Sequence, residues 1–154
     1  MTFIDSNLLF HSAAAAYASG ADVTSTNIVD QAPHLAANAA WTADEGAGEI
    51  AYLVTTVTTA FSGGTSMQVV LQPDTNNGFA TAKTEPAISF AYPIATLVAG
   101  YQIVMPIPPG LKRYLRVAFR NVGANTAGAV TSYITKNPQM PSNGVQIGSG
   151  FVVG

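Results

Sequence analysis

The clearest regularity along the chain is alternation. From Ser66 to Gln72, Met67, Val69 and Leu71 fall on one side, and Ser66, Gln68, Val70 and Gln72 on the other. Successive side chains of a β-strand point to opposite faces, so this period of two predicts a half-buried strand. The pattern returns at Tyr101, Ile103, Met105 and Ile107. It returns again from Lys112 to Val122, where Arg113, Leu115, Val117 and Phe119 oppose Lys112, Tyr114, Arg116, Ala118 and Arg120. Pro86 to Tyr92 would place Ile88, Phe90 and Tyr92 on one face. Glu49 to Phe61 is rich in Val, Thr, Tyr and Ile, types suited to a pleated surface, but its alternation is blurred. Such blurring predicts either two covered faces or a bulge. Val23 to Asp30 and Ala127 to Thr135 complete the strand candidates.

Turn signals separate these runs: Ser62-Gly63-Gly64, Pro73 through Gly78, Pro108-Pro109-Gly110 and Gly123 through Thr126. About seven or eight strands, with turns roughly every 8–12 residues, predict an antiparallel β-sandwich or barrel. Helix competes only at Ala32 to Trp41 and at Ala13 to Ala18, and both stretches are short. The expected organisation is an N-terminal arm over residues 1–20, a sandwich over 21–136 and a tail over 137–154. Phe3, Leu8, Leu9 and Phe10 at one end, and Phe151 and Val152 at the other, are apolar. Untethered ends fray, so these residues should be tied down, either on the domain itself or on a neighbour.

Composition sharpens this picture. Charged residues make up 9% of the 154, against about 25% in ordinary soluble domains. With 48% hydrophobic residues the chain can fill a core, and disorder is excluded. The absence of Cys excludes a disulfide scaffold, a thiolate metal site and a thiol nucleophile. The few charges are also segregated. Asp5, Asp22, Asp30, Asp44, Glu45, Glu49 and Asp74 precede every cation; Lys83, Lys112, Arg113, Arg116, Arg120 and Lys136 follow, with Glu85. Either the two halves mix their charges in the folded state, or the basic strand docks on an acidic partner. No run reaches the ~18–20 apolar residues of a spanning helix, and nothing basic precedes the Ala run as a signal peptide requires. No membrane partner is expected.

Catalytic chemistry is scarce. His11 and His34 lack metal-ligand spacing, and Gly148-Ser149-Gly150 lacks the spacing of a nucleophile elbow. Asp44, Glu45 and Glu49 lie in a Gly/Ala-rich stretch without the alternating acids of a calcium loop. No glycine loop is placed to cradle phosphate. The reading is a non-enzyme without metal or cofactor. The one notable constellation is the basic strand, where Lys112, Arg116 and Arg120 share a face with Tyr114. Nucleic-acid stacking would need more aromatics in a basic groove, so a protein surface is the expected partner.

Three passages resemble a known family: Met1 through Phe10 followed by the Ala run and Thr26-Asn27-Ile28-Val29-Asp30; Lys112 through Val117; and Thr126 through Thr131 leading to Tyr133-Ile134-Thr135. They are similar to the Bbp16-type capsid cement proteins of tailed bacteriophages. The resemblance implies a jelly-roll domain on the outer surface of a shell of HK97-fold major capsid protein, clamping adjoining subunits as a dimer or other small homo-oligomer. It also implies synthesis in the host cytoplasm and residence in the virion. It supplies no active site. The candidate contact residues are Lys112, Tyr114, Arg116 and Arg120, with the apolar ends Phe3, Leu8, Leu9, Phe10, Phe151 and Val152. The alternative is a virion-surface jelly roll that binds carbohydrate or a receptor, with Trp41 and the tyrosines as stacking faces.

Overall fold

The computed structural model describes residues 5–31, 50–80 and 85–138, and there the chain is an all-β sandwich. Its strands are β1 (Leu9–Ala15), β2 (Asp22–Thr24), β3 (Val29–Asp30), β4 (Tyr52–Gly63), β5 (Ser66–Asp74), β6 (Ala87–Ile88), β7 (Tyr92–Pro93), β8 (Gln102–Pro106), β9 (Tyr114–Val122) and β10 (Asn125–Thr135). One sheet runs β1-β10-β4-β8. The other runs β2-β9-β5-β6, with β3 also on β9 and β7 also on β5. Every ladder is antiparallel.

The alternation read from sequence generates the core. Leu53, Val57, Ile103, Met105, Val130 and Ile134 of the first sheet meet Met67, Val69, Leu71, Leu115, Val117 and Phe119 of the second. The blurred pattern in β4 has both expected causes. Val54 is buried although it lies on the opposite face from Leu53, and the β4–β10 register shifts between Ala127 and Ala129. At that irregularity Gly128 takes φ +146° with its Cα against the Phe61 ring, where a Cβ would overlap the ring carbons.

Two tight corners carry the chain from one sheet to the other. Gly63-Gly64-Thr65 links β4 to β5, and Gly123-Ala124 links β9 to β10. The corners pack on each other so closely that a Cβ on Gly64, which sits at φ +62°, would overlap the Asn125 side chain. Only glycine combines that left-handed backbone with that approach.

Several elements differ from the sequence reading. Val23 to Asp30 is two short strands on β9 rather than one, because Ser25 turns aside, its hydroxyl donating to Asn27 O. Pro86 to Tyr92 is likewise divided into β6 and β7. Between them Ser89 Oγ accepts from Val69 N–H and donates to Phe90 O, which takes the place of a ladder bond. Phe90 is consequently 83% exposed and Ile88 47% exposed, instead of facing the core with Tyr92. The strand β5 continues through Pro73, expected to open a turn. Ser89 N–H donates to Val69 O, so odd-numbered β5 residues face β6. Pro73 therefore lacks its donor on a side where β6 has already ended, an edge-like position that proline tolerates. Residues 9–15, within the segment expected as an arm, form the outer strand β1. Ala13 to Ala15 closes that strand, with Ala13 at φ +44° beside a register shift, so no helix forms there. The other helix candidate, Ala32 to Trp41, lies outside the described residues.

Candidate functional site

Among the described strands, charge is confined to one sheet. The strands β1, β4, β8 and β10 contain no Asp, Glu, Lys or Arg at all. Register defines the outer face of their sheet. One row runs Leu9–Tyr133–Val54–Val104 across all four strands; flanking rows are Thr135–Tyr52–Pro106 and Thr131–Thr56–Gln102. This face is built of Thr, Tyr, Val, Leu and amide; Val54 and Tyr133 at its centre are buried, and Tyr52, Thr56 and Val104 are half-buried. Interface centres have that composition, depleted of charge and enriched in Tyr.

The charged residues of the described strands lie on the other sheet, and there Asp22 and Asp30 of the acidic first half meet arginines of the second. Arg120 Nη2 donates to Glu85 Oε1 at 2.7 Å, and its Nε lies 3.6 Å from Asp22 Oδ1. Arg116 Nε donates to Gln72 Oε1 at 2.9 Å, and its guanidinium sits 4.3 Å from the centre of the Phe79 ring. Burial holds the Arg116 pKa below its ordinary value, partly opposed by Asp74. Gln72 Nε2 donates to Glu85 Oε1 at 3.2 Å, so one carboxylate joins the Arg120 and Arg116 groups. Arg113 pairs with Asp30 through two parallel bonds of 2.8 and 2.9 Å, and these bonds raise its pKa further. Of the two readings of the segregated charges, the structure shows mixing among the described residues: Arg120 meets Asp22 and Glu85, and Arg113 meets Asp30.

The candidate contact residues separate accordingly. Tyr114 is half-buried at the start of β9, its ring 5.0 Å from the Arg113 guanidinium. Arg116 and Arg120 share its outer face, as the spacing predicted. Lys112 precedes the strand rather than joining it, because β9 begins only at Tyr114. Leu8 packs against the core, and Leu9 belongs to the uncharged outer face beside Tyr133. Phe10 is a correction: alternation along β1 turns it inward, and it is fully buried in the core. Phe3, Phe151 and Val152 lie outside the described residues, as do His34, Trp41, Asp44, Glu45 and Glu49. His11 is buried between Thr26 N–H, 3.2 Å from Nδ1, and Ala15 O, 3.2 Å from Nε2, which ties β1 to the loop after β2. Among the described residues no cluster of His, Asp and Glu could hold a metal ion, and no helix is long and apolar enough to cross a membrane.

One feature was not legible in the sequence. An apolar groove of about 670 Å³ opens between β8 and the β6–β7 segment, where the two sheet edges part. Met105 and Ile107 lie at its buried side, and Ile50, Ile88 and Phe90 stand exposed along it. Its walls come from segments far apart in the chain, so no local pattern announces it. The sole local signal is Phe90 and Ile88 on a strand too broken to bury them.

A family model, Bbp16, matches residues 12–134. The match covers both sheets and most of the chain, and the protein belongs to the Bbp16 family. No curated protein sequence matches it.

Proposed function

We propose, from this membership, that the protein is a capsid cement or decoration protein of a tailed bacteriophage. In this reading it binds the outer surface of an HK97-fold shell as a small homo-oligomer, a dimer being favoured, and clamps neighbouring major capsid protein subunits. It is made in the host cytoplasm and works in the virion, without catalysis or cofactor.

The observation that carries the reading is the charge-free outer face of the β1-β10-β4-β8 sheet. Burying ions costs several kcal/mol per unpaired charge. A broad face made only of hydroxyl, amide, aromatic and aliphatic groups avoids that cost wherever it is covered. Cementing needs many modest contacts repeated by symmetry, since avidity multiplies contacts that are weak singly. A rigid sandwich with one uncharged side suits that task. Lys112, Tyr114, Arg116 and Arg120 form a second, polar contact surface on the opposite sheet. Arg120 is paired with Glu85 and Asp22 and Arg116 is bonded to Gln72, so this surface serves orientation more than affinity.

The test is addition of purified protein to expanded empty shells, reading its ratio to major capsid protein. Saturation at a fixed ratio is expected. Thr56→Lys combined with Tyr52→Lys, which places two cations on the uncharged face, should weaken occupancy by more than about tenfold, since one buried unpaired charge exceeds 1.4 kcal/mol. Full occupancy by that variant would remove this face from the contact. No saturable binding by the parent protein would overturn the cement reading.

A further inference from the structure

The turn that leaves β5 contains a peptide bond open to chemistry of its own. Asn77 precedes Gly78, and both are exposed. A backbone nitrogen can attack the side-chain amide carbon of the asparagine before it, and a glycine, without Cβ, leaves that approach unhindered. The other described asparagines are followed by bulkier residues: Asn7 by Leu8, Asn27 by Ile28, Asn76 by Asn77, Asn121 by Val122 and Asn125 by Thr126. Asn137 precedes Pro138, which has no N–H to lose. Among the described residues the attack is therefore least hindered at Asn77.

The fold holds the attacking nitrogen back. Asp74 Oδ1 accepts from Asn76 N–H at 3.2 Å, which fixes Asn76 just beyond the end of β5. Asn76 O accepts from Phe79 N–H at 3.1 Å, closing a turn with Asn77 and Gly78 at its centre. Asn76 Oδ1 accepts from Gly78 N–H at 2.8 Å. The proton that the nucleophile must lose is thus engaged by the neighbouring side chain, a local bond that asparagine favours in turns. Past the turn Phe79 is buried, and its ring centre lies 4.3 Å from the Arg116 guanidinium. The turn is consequently anchored on both sides, by Asp74 and by Phe79.

We propose that Asn77 is a self-modification site of this protein and that the Asn76 side chain sets its rate. Hydroxide removes the Gly78 N–H proton, and the nitrogen forms a bond to Asn77 Cγ. The bond from Cγ to the side-chain nitrogen breaks, and that nitrogen takes up a proton from water and leaves as ammonia. The product is a cyclic imide, which water opens at either carbonyl. Opening at Cγ gives aspartate; opening at the main-chain carbonyl gives isoaspartate, whose main chain runs through Cγ and is longer by a methylene. Both place a carboxylate at residue 77 in place of a neutral amide. Isoaspartate also lengthens the path from Asn76 to Phe79, which opposes the bond that closes the turn. The proposal stands apart from the capsid reading, because the reaction needs only the chain and water.

The test follows the full-length protein at mildly alkaline pH, natively folded and in urea, by peptide mass mapping and isoaspartate-specific methylation. Aspartate and isoaspartate are expected at position 77, slowly in the native parent and severalfold faster in urea, where the Gly78 N–H is released. Asn77→Gln should remove the product, because the larger ring closes far more slowly. Asn76→Ala should react severalfold faster than the parent when native, and at the parent's rate in urea. Asn76→Asp keeps an acceptor oxygen and should stay near the parent's native rate. No product at 77 in the native parent would overturn the proposal. So would a native Asn76→Ala rate no higher than the parent's, or an equal acceleration by Asn76→Asp. An Asn76→Ala acceleration that persists in urea would trace the effect to sequence rather than to the folded turn, again against the proposal.

Discussion

Arg113 holds Asp30 through two parallel hydrogen bonds, Nε to Oδ1 at 2.8 Å and Nη2 to Oδ2 at 2.9 Å, across 83 residues of sequence. The pair fastens the loop ahead of β9 to β3, beside the ladder in which Val29 meets Leu115 and Asp30 meets Tyr114. A lysine keeps the charge but loses the planar fork. Arg113→Lys and Asp30→Asn are therefore both expected to lower the urea midpoint, and the double variant should lose less than their sum. Strict additivity in that cycle would show that the two groups act independently.

Thr55 and Ser132 form a hydroxyl pair at 2.8 Å, fully buried between apolar neighbours on the inner face of the first sheet. Removing one partner strands the other. Ser132→Ala should cost about 1–3 kcal/mol in equilibrium denaturation. Combining it with Thr55→Val removes both polar groups and should recover much of that loss. A double variant less stable than Ser132→Ala would contradict this account.

Gly128 has a backbone that L-residues rarely adopt, and its missing Cβ makes room for Phe61. Gly128→Ala should destabilise the sandwich by about 2–4 kcal/mol, strain and overpacking together. Phe61→Leu in the same background should relieve part of this by vacating the contact. Thermal denaturation of the single and double variants reads both effects.

Tyr92 and Tyr101 meet edge to face, 5.7 Å between ring centres, beside the groove. Burial, aided by Tyr101, raises the Tyr92 pKa above 10.0. The neutral phenol is therefore favoured in the folded state, and the unfolded chain loses its proton first. This contribution to stability is complete below pH 10 and declines as pH rises above it. Tyr92→Phe should flatten that decline in denaturation curves taken across the alkaline range; an unaltered slope would assign the loss to other groups.

The polar face of β9 gives a graded expectation on shells. Lys112 makes no ion pair among the described residues, so Lys112→Glu tests the surface without disturbing the fold. It should reduce occupancy only modestly, and more at low salt than at high. The triple variant Lys112→Glu, Arg116→Glu, Arg120→Glu should reduce occupancy further. It also breaks the bonds to Gln72 and Glu85, so its circular dichroism must match the parent before binding is compared. Unchanged occupancy by a folded triple variant would remove this strand from the interface.

What the sequence determined by itself was local. The period of two in Ser66 to Gln72, Tyr101 to Ile107 and Arg113 to Phe119 named the core faces of β5, β8 and β9, because a half-buried strand imposes its period on its own residues. The bulge in β4, the absence of thiol chemistry and the uncommonly sparse charge were legible for the same reason. Pairing was not local. Register brought Asp22 to Arg120 and Asp30 to Arg113, and so joined acids of the first half to cations of the second on one sheet. Register also aligned Leu9, Tyr133, Val54 and Val104 into a single uncharged row. The groove arose where the edges of two sheets, contributed by segments distant in sequence, failed to close. Such features belong to long-range contacts, which no local pattern in the sequence encodes.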